Sequence, residues 1–191
     1  MSHDARWAII NTAAEKLGFM VDREFVIRIG QISDGFPYYV HLIGSVLSWA
    51  IFDHRQMTLN ATDADFKLAV NGAIEKAESP LRTAYNNAMQ KTKGSRDYED
   101  AMWALADGAH LSRQLREVYD RSYCRIMSEQ KREPLPIGKF RNRIYKLCSP
   151  AHGRIIERQP NSWYHFRENV VRGYVRLRAQ RQGIELGKDH H

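Results

Sequence analysis

Ile137-Gly138-Lys139-Phe140-Arg141-Asn142-Arg143-Ile144-Tyr145-Lys146-Leu147 is followed by Arg154-Ile155-Ile156-Glu157-Arg158, then Gln159-Pro160-Asn161-Ser162, then Trp163-Tyr164-His165-Phe166. Ile137, Phe140, Ile144 and Leu147 recur at helical spacing and predict a short helix with one apolar face. Lys139, Arg143 and Lys146, spaced i, i+4 and i+7, share a different face, with Arg141 and Asn142 beside them. Gly153 closes a turn. The two runs after it, joined by Pro-Asn-Ser, read as the strands of a hairpin. A last helix is predicted from about Asn169 to Gln180.

Upstream of this stretch, Tyr98, Met102 and Leu105 mark a helix that ends near Gly108. Ser112 is placed to cap another, with Leu115, Val118, Tyr119 and Ile126 inward. Pro134-Leu135-Pro136 forms a stiff connector into the basic helix. Helix, helix, helix, hairpin and closing helix is the order of a winged helix-turn-helix domain, assigned to residues 93–182 with 183–191 as a tail. Residues 1–92 read as helices throughout. Asp4 and Asp22 are candidate caps, and Trp7, Ile10, Ala14 and Leu17 lie on one face. Phe25, Ile29 and Ile32 lie on the next. Pro37 opens a third helix that is apolar nearly all round and is expected at the centre of a bundle. Thr62 caps a fourth, with Phe66, Val70, Ala73 and Ala77 inward, and Ser79-Pro80 restarts a fifth carrying Leu81, Tyr85 and Ala88. The polar run Lys91-Thr92-Lys93-Gly94-Ser95 marks the expected boundary. The fold class is therefore mainly α, a helical bundle followed by a winged helix.

Net charge is +7 over 191 residues. Residues 1–94 carry 10 basic and 10 acidic side chains and cancel, whereas residues 95–191 carry 19 and 12 and hold the whole excess. A neutral half joined to a basic half suggests modules with different partners, the basic one suited to a polyanion such as DNA or simply presenting a solvated surface. Two cysteines, Cys124 and Cys148, make neither a disulfide framework nor a zinc site, and a reducing cytoplasm suits them. The apolar stretch from Tyr38 to Phe52 is shorter than the roughly 20 residues of a membrane span. No membrane partner is expected.

A cationic helix face can lie in the major groove, where Lys139, Arg141, Asn142, Arg143 and Lys146 would meet phosphates and base edges. Arg154, Arg158 and Asn161 on the hairpin would hold the flanking backbone. No catalytic constellation accompanies them. The nearest approach to a phosphate loop, Gly183-Ile184-Glu185-Leu186-Gly187-Lys188, is one residue short and has Asp189 where the hydroxyl belongs. The histidines do not take metal spacing, and His41, on the apolar third helix, reads as a core histidine.

Two further likenesses join the halves. Ile32-Ser33-Asp34-Gly35-Phe36-Pro37-Tyr38-Tyr39-Val40-His41-Leu42 resembles the Gly-x-Pro segment in the lid of STAND-class and related AAA+ ATPases. The segment from Gly153 to Arg158, with Trp163 to Phe166 and Val170 to Arg178, resembles the winged-helix ending of prokaryotic ATP-binding proteins of that type. The connection from Ala73 to Ala88 is similar as well, so the likeness runs from about Asp4 to Gln180. It implies a helical AAA+ lid followed by a winged helix, with Gly35 and Pro37 facing a nucleotide held by a P-loop ATPase domain in cis or in trans. ATP and Mg would belong to that full-length parent, and no cofactor is implied for this chain alone. The chain departs from the pattern at Tyr38 and Tyr39, which stand near the place of a phosphate-sensing arginine, and at Asn169, which replaces a proline.

The function expected on this reading is the regulatory part of an ATPase that binds DNA or a partner. One alternative is a self-standing winged-helix DNA-binding regulator whose helical half dimerises. Another is a protein-interaction adaptor with no nucleic-acid role.

Overall fold

The computed structural model describes residues 3–54, 60–89 and 95–188. The side chains of Asp4, Trp7 and Leu17 and the expected boundary at 91–94 lie outside the described residues. The chain is mainly helical with one small antiparallel sheet. Helices α1 (His3–Leu17), α2 (Arg23–Ser33), α3 (Pro37–His54), α4 (Asp63–Lys76) and α5 (Ser79–Met89) make up the first half. Thr62 caps α4 in a reciprocal box with Asp65, each satisfying the other's backbone N–H. Asp22 occupies the cap position of α2, but its carboxylate makes no capping hydrogen bond.

The second half opens with α6 (Asp97–Ala106) and the two-residue strand β1 (Arg113–Gln114). Helix α7 (Leu115–Glu117) runs through a π-helical segment, Val118–Tyr123, into α8 (Cys124–Glu129). Then come α9 (Ile137–Leu147), the hairpin strands β2 (Ile156–Gln159) and β3 (Trp163–Phe166), and α10 (Asn169–Arg181). The sheet order is β1-β3-β2, with Arg113 opposite Tyr164 and Ile156 opposite Phe166. Ser112 does not cap a helix. It precedes β1, and its hydroxyl donates to Gln159 Oε1 at 3.1 Å, because the chain must first cross the sheet edge. Arg113 is buried and fastens β1 to α6 and the π segment, donating to Ala104 O and Ser122 Oγ at 3.0 Å each.

Helix α10, rather than α3, is enclosed on every side. Residues 171–177 are all buried, and the helix packs on α2, α4, α5, α6 and β3. Close approach is possible because residue 173 is glycine. A Cβ there would lie 2.6 Å from Tyr39 Cδ2 and nearer still to Cε2. The Tyr39 ring is itself pinned, its hydroxyl donating to Val170 O at 2.6 Å. Helix α3, in contrast, leaves a stripe at the surface that includes His41 and Trp49. His41 is thus exposed, not a core residue. Helix α3 packs on α1, α2 and α4, and His41 falls on the side that they leave exposed.

Two arginines in α10 are also buried. Arg172 and Arg176 both pair with Asp34, whose side chain is wholly enclosed at the left-handed C-cap of α2. Arg176 donates to Ala106 O at 2.8 Å, Gly108 O at 2.9 Å and Gln31 O at 2.6 Å, and Arg172 donates to His110 O at 2.6 Å. These carbonyls belong to the C-terminal ends of α2 and α6 and the turn after α6, where helix dipoles favour cations. Burial pulls the Arg176 pKa below its ordinary value, and Asp34 opposes that shift.

Residues 183–188, expected as a tail, fold back onto this junction. Ile184 and Leu186 are buried, and the Gly187 N–H donates to Asp107 Oδ1 at 3.1 Å. The buried apolar side chains form one cluster across both halves, from Ile10 to Leu186.

Candidate nucleic-acid interface

The basic helix α9 is held from three directions. Phe140, Ile144 and Leu147 are buried as its spacing requires, and Ile137 is half-buried. The connector before it is pinned by two tyrosines of the π segment: Tyr119 OH donates to Leu135 O at 2.8 Å, and the Leu135 N–H donates to Tyr123 OH at 3.2 Å. Phe140 lies against both rings, with centroids 5.4 and 4.5 Å away. Beyond the C-terminus of α9, His152 is buried, stacks on Tyr98 and places Nδ1 2.7 Å from Ala88 O. That contact ties the end of α9 to α5, across the two halves.

Four of the five polar residues expected on the face are exposed: Lys139, Arg141, Asn142 and Lys146. Among the described residues no carboxylate pairs with Lys139, Arg141 or Lys146. Arg143 is placed differently. Its guanidinium turns to α6, donating to Asp97 Oδ2 at 3.0 and 3.2 Å, and sits over the Tyr98 ring at 5.0 Å. Its charge is therefore matched inside the protein and it acts as a strut.

Arg154, Arg158 and Asn161 are all exposed on the segment after α9. Arg154 follows Gly153, and both have left-handed backbone, at φ 50° and 70°. Arg158 reaches back across the gap to α9, its guanidinium 5.4 Å from the centroid of Tyr145. Asn161 and Ser162, at φ 56° and 60°, are the central pair of a tight turn closed by the Trp163 N–H on Pro160 O, the geometry that matches strand twist in hairpins.

Tyr145 and Trp163 were not anticipated, and each is 39% exposed. Tyr145 falls one residue beyond the buried Ile144, so its place on the open flank of α9 could have been read from the helical period. Nothing in the sequence brings Arg158 to it. Burial pushes the Cys148 thiol, just past the end of α9, up to about 11.

Gly35 and Pro37 lie apart from this surface. Gly35 has φ 81° and follows the left-handed Asp34, so the turn that ends α2 requires it. Pro37 is exposed in the first turn of α3. No group of three or more His, Cys, Asp or Glu side chains is gathered for a metal among the described residues, and no described helix is long and apolar enough to cross a membrane. No family model, curated protein or solved structure matches the chain.

Proposed function

We propose that the chain is a duplex-DNA-binding module whose contact surface is the open face of α9 together with the β2–β3 hairpin. The observation that carries this reading is a rigidly mounted helix with three cations on its solvent side, Lys139, Arg141 and Lys146, that have no carboxylate partner among the described residues. Exposed cations without internal partners are free to neutralise phosphates, and Asn142 beside them can address base edges. The order helix, strand, helix, helix, hairpin, with the first strand against the last, supports the winged-helix assignment that this mode of binding uses.

The test is fluorescence anisotropy on a duplex across a salt series. Replacing Lys139, Arg141 and Lys146 with alanine should flatten the log–log salt slope by roughly three units, at about 0.9 per phosphate contact. All three are exposed, so circular dichroism should be unchanged. Arg143→Ala should lower stability more than it changes the slope, since Arg143 is committed to Asp97. An unaltered slope in the triple variant would overturn the reading and favour a protein-docking adaptor.

A second reading keeps Gly35 and Pro37 as a nucleotide-facing lid element for a P-loop ATPase domain, with ATP and Mg on that domain. Exposure of Pro37 is what favours it. In a mixture with such a domain, Pro37→Ala should weaken nucleotide affinity. Equal affinity would leave Pro37 as a helix starter. The chain alone is expected to release no phosphate from ATP in either case.

A further inference from the structure

Between α1 and α3 runs an open groove of about 490 Å³ with walls from Ile9, Ile10, Phe19 and Gly44. At its edge stands Trp49, 63% exposed and edge-on to Phe52 at 5.9 Å. We infer that this groove is a self-association surface, in which Trp49 of one copy enters the groove of a second copy and the reverse contact forms about a twofold axis. The inference does not rest on the DNA reading.

Three observations point to a second copy as the occupant. The protruding indole and the groove lie side by side on one helix, so the patch is its own complement, as an isologous twofold contact requires. Among the described residues the groove walls carry no Asp, Glu, Lys or Arg, and the two serines beside Gly44 spend their hydroxyls on their own helix, Ser45 on Leu42 O and Ser48 on Gly44 O. Among the described walls a highly charged partner would find only the His41 imidazole to pair with.

The balance of charge is the third. The half that bears the groove is neutral, with 10 basic and 10 acidic residues in 1–94, while the +7 excess lies in 95–191. Two copies can therefore meet through this face with little like-charge repulsion, which falls away over about 8–10 Å in physiological salt. Size sets the expected strength. A fully buried aromatic side chain removes about 150–250 Å² from water, and part of Trp49 and Phe52 is already covered. The four rings of two copies therefore remove at most about 1,000 Å², short of the roughly 1,200–2,000 Å² of a stable interface, and a weak dimer with a dissociation constant of about 10–100 µM is expected.

Sedimentation equilibrium of the full chain from about 1 to 200 µM tests this. A concentration-dependent monomer–dimer equilibrium is expected. Trp49→Ala, which removes the knob, should weaken it at least about tenfold, the loss typical of a central aromatic anchor. Gly44→Leu fills the groove while leaving Trp49 intact, and among the described residues a Cβ at Gly44 meets nothing within 4 Å, so the fold should accept it. It should weaken association as much. The Lys139, Arg141 and Lys146 alanine variant should dimerise like the parent. A parent that stays monomeric throughout overturns the proposal, as does a dimer that survives both groove variants. Native mass spectrometry showing a small apolar molecule retained by the parent and lost in Gly44→Leu would overturn it too.

Discussion

Asp34 is the residue on which the junction of the two halves turns. Its carboxylate is enclosed between Arg172 and Arg176, and its own backbone is left-handed at φ 52°. Asparagine tolerates that backbone as aspartate does, so Asp34→Asn removes the charge without straining the turn. Two buried guanidinium groups would then share only carbonyls, and breaking a buried pair from one side costs about 3–5 kcal/mol. A fall of that size in unfolding free energy, measured in urea, is expected. Asp100 offers the opposite case. Burial raises its pKa above the ordinary 3.8, although Arg132 Nη1 is 2.8 Å away. A folded pKa above the unfolded one means the native state holds this proton more tightly. The linked stability is therefore full below the unfolded value and is lost as pH rises through the folded value. Asp100→Asn removes this linkage, so its urea midpoint should change less than the parent's between about pH 4 and 7. An unchanged pH profile would mean that Arg132 fully offsets the burial of Asp100.

Elements whose signals are local were legible. The capping box at Thr62 and Asp65, the inward positions of α4 and α5, the apolar face of α9 and the hairpin with its Pro-Asn-Ser turn all rest on residues within one or two turns of each other. What sequence did not reveal depends on distant partners. Strand β1 has two residues, too few for any alternation, and exists because β3 offers it an edge. Helix α10 carries arginines at 172 and 176, and the acid that accepts them is 138 residues away from Arg172, beyond the reach of any local signal. Arg143 matches the spacing of Lys139 and Lys146, and only the placement of Asp97 takes it out of the basic face. At the hairpin, Ser162 adopts φ 60° without being glycine. A left-handed backbone costs a non-glycine residue about 1–2 kcal/mol, and glycine returns about 0.5–1 kcal/mol of that as extra chain entropy lost on folding. Ser162→Gly should therefore stabilise the chain by up to about 1 kcal/mol. The DNA affinity proposed for this surface should stay the same, since the turn geometry is retained and Asn161 is untouched. A lower urea midpoint would show that the serine side chain is needed to hold the turn.

Across the whole molecule, the last helix belongs to both halves at once. Val171, Val175 and Leu177 are buried against a shell that includes α2, α4, α5 and α6, while Arg28 of α2 reaches Gln180 and the carbonyl of Leu186. Each large apolar side chain fully buried contributes about 1.5–3 kcal/mol, so these three alone supply about 5–9 kcal/mol. That is comparable to the whole stability of an ordinary domain, about 5–15 kcal/mol. A fragment of residues 1–92 would therefore keep its local helix signals and lose the element that fills its middle. Such a fragment should show partial helicity in the far ultraviolet but collapsed amide dispersion by NMR. The full chain should unfold in one step. Trp49 in the first half and Trp103 and Trp163 in the second give each half its own fluorescence reporter, with Trp7 adding a second signal to the first half. A variant with Trp103 and Trp163 both changed to phenylalanine reports the first half alone. Trp103 is wholly buried, so some loss of stability is expected there, and the comparison is between fluorescence and circular dichroism of the same variant. Coincident midpoints by the two probes are expected, because α10 cannot leave one half without leaving the other. A well-dispersed 1–92 spectrum, or two separated transitions, would instead establish two independent domains meeting near residue 92, with α10 merely resting between them.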